Sequence, residues 1–118
     1  MKISSEKKKE LQAQYKLRKT EMGIFAVINK SNAKHYVETT QDLKAKMNST
    51  EFKLNLGSHP KKELQKEWQE MGRDQFEIKI LEQIEHEKDE AKTDYTDDLA
   101  LLEMLWIEKL IKEGIHFY

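Results

Sequence analysis

The sequence contains no cysteine, which excludes disulfides, thiolate zinc sites and cysteine nucleophiles and agrees with a reducing cytoplasm. Proline occurs once and glycine four times in 118 residues, too little turn material for a sandwich of many hairpins. No apolar run approaches the ~18 residues of a membrane span. Met1-Lys2-Ile3-Ser4-Ser5-Glu6 opens no apolar stretch of signal-peptide type, so neither secretion nor membrane insertion is expected, and a cytoplasmic location is. Neither sign of charge dominates: 21 basic residues face 22 acidic ones, giving a net charge of −1. The length suits one domain and is too short for two ordinary ones.

What the chain has in excess is charge, at 36% of residues against a typical share of about 25%. It is unevenly placed. Residues 1–73 sum to +7 and residues 74–118 to −8. The basic part could meet phosphates, which the acidic part would repel. Alternatively the two parts attract each other when packed, and the near-neutral total leans toward this second reading, because dedicated nucleic-acid binders are basic overall.

Ser5 to Lys19 reads as a charged helix with Leu11, Tyr15 and Leu17 as its bulky apolar residues, too few for a core helix. Gly23-Ile24-Phe25-Ala26-Val27-Ile28-Asn29 is apolar on both faces, as a central strand is. Lys30-Ser31-Asn32-Ala33 is turn material, and His35-Tyr36-Val37-Glu38-Thr39 completes a hairpin. An even-length loop between the strands puts Phe25 and Tyr36 on one face. Thr40 or Asp42 caps a helix with the stripe Leu43, Met47 and Leu54, which Gly57 ends. A second helix is expected with Ser58 or His59 as cap and Pro60 in its first turn; its stripe is Leu64, Trp68 and Met71, and Gly72 closes it. Phe76-Glu77-Ile78-Lys79-Ile80 alternates as a half-exposed strand does. An acidic connector over about 86–95 leads to the most apolar stretch, a helix over about 97–112. This order gives a small α+β domain.

Glu103 is the most informative residue. On a helical wheel its flanks are Leu99, Ala100, Trp106, Ile107 and Leu110, which sets a carboxylate at the centre of an apolar face. Such a group must be ion-paired, metal-bound or neutralised. Leu101 and Leu105 fall among the charges and hint at a second buried face or a surface for a protein partner. Lys46 and Thr50 share a helix face, where a solvated lysine is the ordinary reading. His59 reads as a cap or turn residue, while His35, His86 and His116 lack metal-ligand spacing. For Phe25, Tyr36 and Trp68, burial in the core is the default explanation. No phosphate-cradling glycine loop, dinucleotide fingerprint or nucleophile elbow occurs.

Several stretches, taken in order, resemble the GIY-YIG nuclease family. Gly23-Ile24-Phe25 stands for the first half of its signature, and Tyr36-Val37-Glu38, eleven residues after Phe25, for the second. The resemblance continues through Asp42-Leu43, Gly57-Ser58-His59, Leu64-Gln65 with Trp68, Gly72, and Phe76 with Ile80-Leu81-Glu82, and reaches Glu103-Met104-Leu105-Trp106. It implies a three-stranded antiparallel sheet flanked by helices over residues 21–118, with the charged helix of residues 1–20 as an addition.

The resemblance also implies a site for metal-dependent hydrolysis of a DNA phosphodiester. Tyr36 would position or deprotonate water, Lys46 would hold the phosphate, His59 would match a histidine of some members, and Glu103 would bind Mg²⁺ or Mn²⁺. Three positions depart from the pattern. Phe25 stands in place of the first tyrosine and lacks its hydroxyl, Glu38 replaces a glycine, and Lys46 replaces an arginine and its planar fork. Thr50 stands where some members have a histidine. A degraded site with weak or lost hydrolysis is therefore expected. The alternative is a non-catalytic module that binds nucleic acid or a protein, with a second copy of the chain among the candidate partners.

Overall fold

A computed structural model describes residues 20–86 and 92–118. The charged N-terminal helix expected over Ser5–Lys19 lies outside the described residues, as do residues 87–91 of the acidic connector. At the centre is strand β1, Met22–Asn29, buried along almost its whole length. Strands β2 (His35–Thr40) and β3 (Phe76–Ile84) flank it, both antiparallel to it, in the order β2-β1-β3. A strand that is apolar on both faces can satisfy both only in the middle of a covered sheet. The β1–β2 turn is built by short-range polar contacts: Asn29 Oδ1 accepts from the Ser31 N–H, Asn32 Oδ1 accepts from the Lys34 N–H, and Ala33 takes a positive φ of 59°.

Phe25 pairs with Glu38 and Val27 with Tyr36, so all four side chains project from one face, as the hairpin parity predicts. Helix α1 (Leu43–Leu56) and helix α2 (Lys62–Met71) cover that face. The resulting core holds Phe25, Val27, Leu43, Leu54, Leu64, Trp68 and Phe76. Helix α3 (Thr96–Lys112) covers the opposite face, where Tyr95, Leu99 and Leu102 pack against Met22 and Ile24. Among the described residues no helix is long and apolar enough to cross a membrane.

Asp42 caps α1 by accepting from the Ala45 N–H at 3.1 Å, and Gly57 ends that helix in the left-handed region at φ 80°. The start of α2 differs from expectation. The helix begins at Lys62, after Pro60, and no side chain caps it. His59 instead braces the turn ahead of the helix, its Nδ1 accepting the Lys61 N–H at 3.0 Å. Strand β3 runs four residues beyond the alternating segment. The pairing with β1 shifts between Ile24 and Phe25, and this bulge admits the adjacent apolar residues Ile80 and Leu81 into one strand.

On α3 the buried stripe runs through Leu99, Leu102 and Leu110, with Ala100 exposed and Glu103 half-buried. Glu103 therefore borders the apolar face instead of standing at its centre, because Leu102 takes the position facing the sheet. Leu101 and Leu105 remain exposed. Beyond α3 the chain returns to the outer edge of β2, where the His35 N–H donates to the His116 carbonyl and the Tyr118 N–H donates to the His35 carbonyl.

Beside the bulge, a Cβ added at Gly23 would stand 2.0 Å from the Glu82 carbonyl oxygen, so the two strand backbones must separate to admit it. Gly23→Ala is expected to cost about 2 kcal/mol or more, read as a lowered urea midpoint with an unchanged denaturant slope.

Candidate active site

The residues singled out from the sequence come from four elements. Strand β2 carries Tyr36, half-buried against the first core. The corner between α1 and α2 carries His59, whose ring stands edge-on to the Tyr36 ring at 5.1 Å and 87°. That corner is fixed by Gln65, which is buried. Its Nε2 donates to the Leu54 carbonyl at 2.8 Å, and its Oε1 accepts the His59 N–H at 2.9 Å. A buried side-chain amide satisfied at both ends holds two otherwise orphaned backbone groups in one geometry.

Helix α1 brings Lys46 to the same place. Its ammonium lies 3.5 Å from the carboxylate of Glu38, which shares the sheet face of Tyr36. Helix α3 supplies Glu103. Burial pushes the Tyr36 phenol up to about 12, helped by the charge of Glu38, by hydrogen bonding with it, and by the charge of Glu103. The charge of Glu103, on α3, makes the smallest of these contributions. Burial also lowers the His59 pKa, assisted by the positive charges of Lys53 and Lys46. His59 is thus neutral near pH 7. Because its Nδ1 accepts a backbone N–H, its own proton sits on Nε2.

Phe25 lies apart from this group in kind. Its ring is fully buried in the core under the helices and offers no polar atom. Thr50, one turn beyond Lys46, is buried as well. His35 and His86 are each engaged with a backbone carbonyl, those of Ala33 and Thr20. Among the described residues no three His, Cys, Asp or Glu side chains group as a metal cluster would. Gln65 is a supporting residue to which the sequence reading, though it places Leu64-Gln65 within the family resemblance, gives no role of its own. Its signal is present all the same: it stands three residues before Trp68 on the buried stripe of α2, where a polar residue requires partners.

No protein-family model and no curated protein matches the sequence. Solved structures do. The catalytic domain of the homing endonuclease I-TevI shares 29% identity at a TM-score of 0.63, over 81% of this chain and 96% of that one. A glutamate-to-alanine mutant of the catalytic domain of the same intron endonuclease shares 26% identity at a TM-score of 0.64, over 84% and 93%. The chain has a GIY-YIG-like α+β fold.

The lowered pKa of His59 fixes the sign of a pH effect. Below the ordinary histidine value near 6.5 the unfolded chain takes up a proton that the folded chain resists. Stability is complete above that value and is lost as pH falls through the folded pKa. His59→Asn, whose side-chain oxygen can still accept the Lys61 N–H, is expected to show a smaller fall in urea midpoint between about pH 7 and about pH 5.

Proposed function

We propose that this domain acts on DNA phosphodiesters, with slow divalent-metal-dependent hydrolysis at the surface formed by Tyr36, Lys46, His59 and Glu103. One observation carries the reading: the His59 ring meets the Tyr36 phenol edge-on at 5.1 Å, and Lys46 of α1 reaches the same strand at Glu38, so a phenol, an imidazole and a cation converge on β2. A cation for phosphate, two neutral hydrogen-bond donors and a carboxylate suited to a hard metal ion are the parts such hydrolysis needs.

Glu103 fits a divalent ion. It is half-buried yet makes no hydrogen bond or ion pair with any described residue, and a hydrated Mg²⁺ or Mn²⁺ requires only one or two protein carboxylates beside the substrate oxygens. The ion would supply neutralisation of the charge that develops on phosphate. The chain's own groups orient and bind. Lys46 offers a point charge to a phosphate oxygen, while the His59 Nε2–H and, once its proton leaves Glu38, the Tyr36 hydroxyl offer hydrogen bonds.

Slowness follows from the same chemistry. With its pKa pushed up to about 12, the Tyr36 phenol stays protonated near neutral pH, so it serves as a donor that positions water better than as a proton acceptor. The Nδ1 lone pair of His59 is already committed to a backbone N–H. Phe25 adds no hydroxyl, and losing one positioned donor costs ~10²–10³ in rate.

A second reading, in which the fold binds nucleic acid or a protein partner without cleaving, is favoured by the buried phenyl ring of Phe25 and by the exposed Leu101, Met104 and Leu105 of α3. Nicking of supercoiled plasmid with Mg²⁺ or Mn²⁺ separates the two. Slow nicking is expected from the wild type, reduced about 10²-fold or more by Glu103→Ala; equal inertness of the two proteins would end the hydrolytic reading.

A further inference from the structure

Glu38 and Lys46 are the two oppositely charged side chains that meet in this site, at 3.5 Å, from strand β2 and helix α1. Glu38 stands opposite Phe25 on the face that also bears Tyr36, so its carboxylate reaches the locality of the phenol and the ammonium together. Its oxygens offer what a phosphodiester oxygen would offer there, a negative charge and a hydrogen-bond acceptor. The site thus already contains a tethered anion.

We propose that Glu38 is a built-in competitor of the substrate phosphate, which must take Lys46 from it in order to bind. This rests on the reading of the domain as one that acts on nucleic acid. Both partners are partly exposed, Lys46 at 38% and Glu38 at 28% of their side-chain surface, so water can replace either one and the pair opens without unfolding the domain. Opening has an electrostatic consequence. A phosphate seated on Lys46 leaves two anions sharing one ammonium, and their mutual repulsion weakens binding. While the pair is closed, Lys46 is neutralised and releases few counterions when a nucleic acid approaches, which flattens the salt dependence. Glu38 acts through Lys46 and is therefore a positioning residue, distinct from the groups that would touch the reacting atoms.

The test is binding of a dye-labelled DNA duplex, followed by anisotropy in EDTA across a salt series, for the wild type, Glu38→Gln, Lys46→Met and the double variant. Glu38→Gln is expected to bind roughly fivefold more tightly at low salt, with the slope of log affinity against log salt steeper by about one. Both gains are expected to vanish in the Lys46→Met background, which a purely structural effect of Glu38 would not do. Wild-type binding left unchanged by Glu38→Gln, or a gain that survives without Lys46, overturns the proposal while leaving the nucleic-acid reading intact. Failure of all four proteins to bind at low salt overturns both.

Discussion

Alternation along β1 governs most of what this domain can do. Odd-numbered residues, Phe25 and Val27, enter the core beneath α1 and α2, and even-numbered ones, Met22 and Ile24, enter the core beneath α3. A strand committed to both sides leaves no freedom of register, since a slip of one residue would exchange the two cores. The hairpin inherits that commitment. Tyr36 and Glu38 face the helices that carry Lys46 and His59 because Val27 and Phe25, their partners across the ladder, must be buried there. The site is a by-product of packing in this sense: the constraint that buries a phenylalanine also aims a tyrosine and a glutamate.

The second determinant is polar. Gln65 closes the α1–α2 corner by joining the Leu54 carbonyl to the His59 backbone. His59 in turn uses its ring to hold the Lys61 N–H, so the imidazole is fixed at both backbone and side chain. A histidine held this way keeps one tautomer and one orientation, at the loss of the lone pair that a general base would use. His59 therefore contributes a donor to its surroundings, its Nε2–H, and no free acceptor.

Much of this is legible in the sequence, for identifiable reasons. The run Ile24 to Ile28 is apolar on both faces and can only be a central strand, and Asp42 and Gly57 mark the ends of α1 by side-chain and backbone chemistry that needs no tertiary context. The two-residue period ends β3 too early because Ile80 and Leu81 break it, and only the bulge beside Gly23 reconciles them with one strand. The start of α2 escapes the same reasoning because His59 has the character of a cap but hydrogen-bonds to a residue still outside the helix. Tyr36, Lys46, His59 and Glu103 come from ordered family resemblance, and the fold likeness to I-TevI agrees with that resemblance at the level of architecture. Wheel geometry alone misplaces Glu103, since it treats every apolar neighbour as buried when Leu102 in fact faces the sheet. The meeting of Glu38 with Lys46 spans a strand and a helix, and no local pattern announces it.

The return of the chain to His35 bears on a different matter, the outward-facing margins of the sheet. A bare outer strand is a template onto which a foreign segment can add. On the β2 side, the backbone of His35 is already engaged by His116 and Tyr118, so the register an intruding strand would need is taken at its first residue. On the β3 side, Glu77, Lys79 and Glu82 bring charge to the rim. One margin is engaged at its first residue and the other carries charge, two features that work against stacking edge to edge into aggregates.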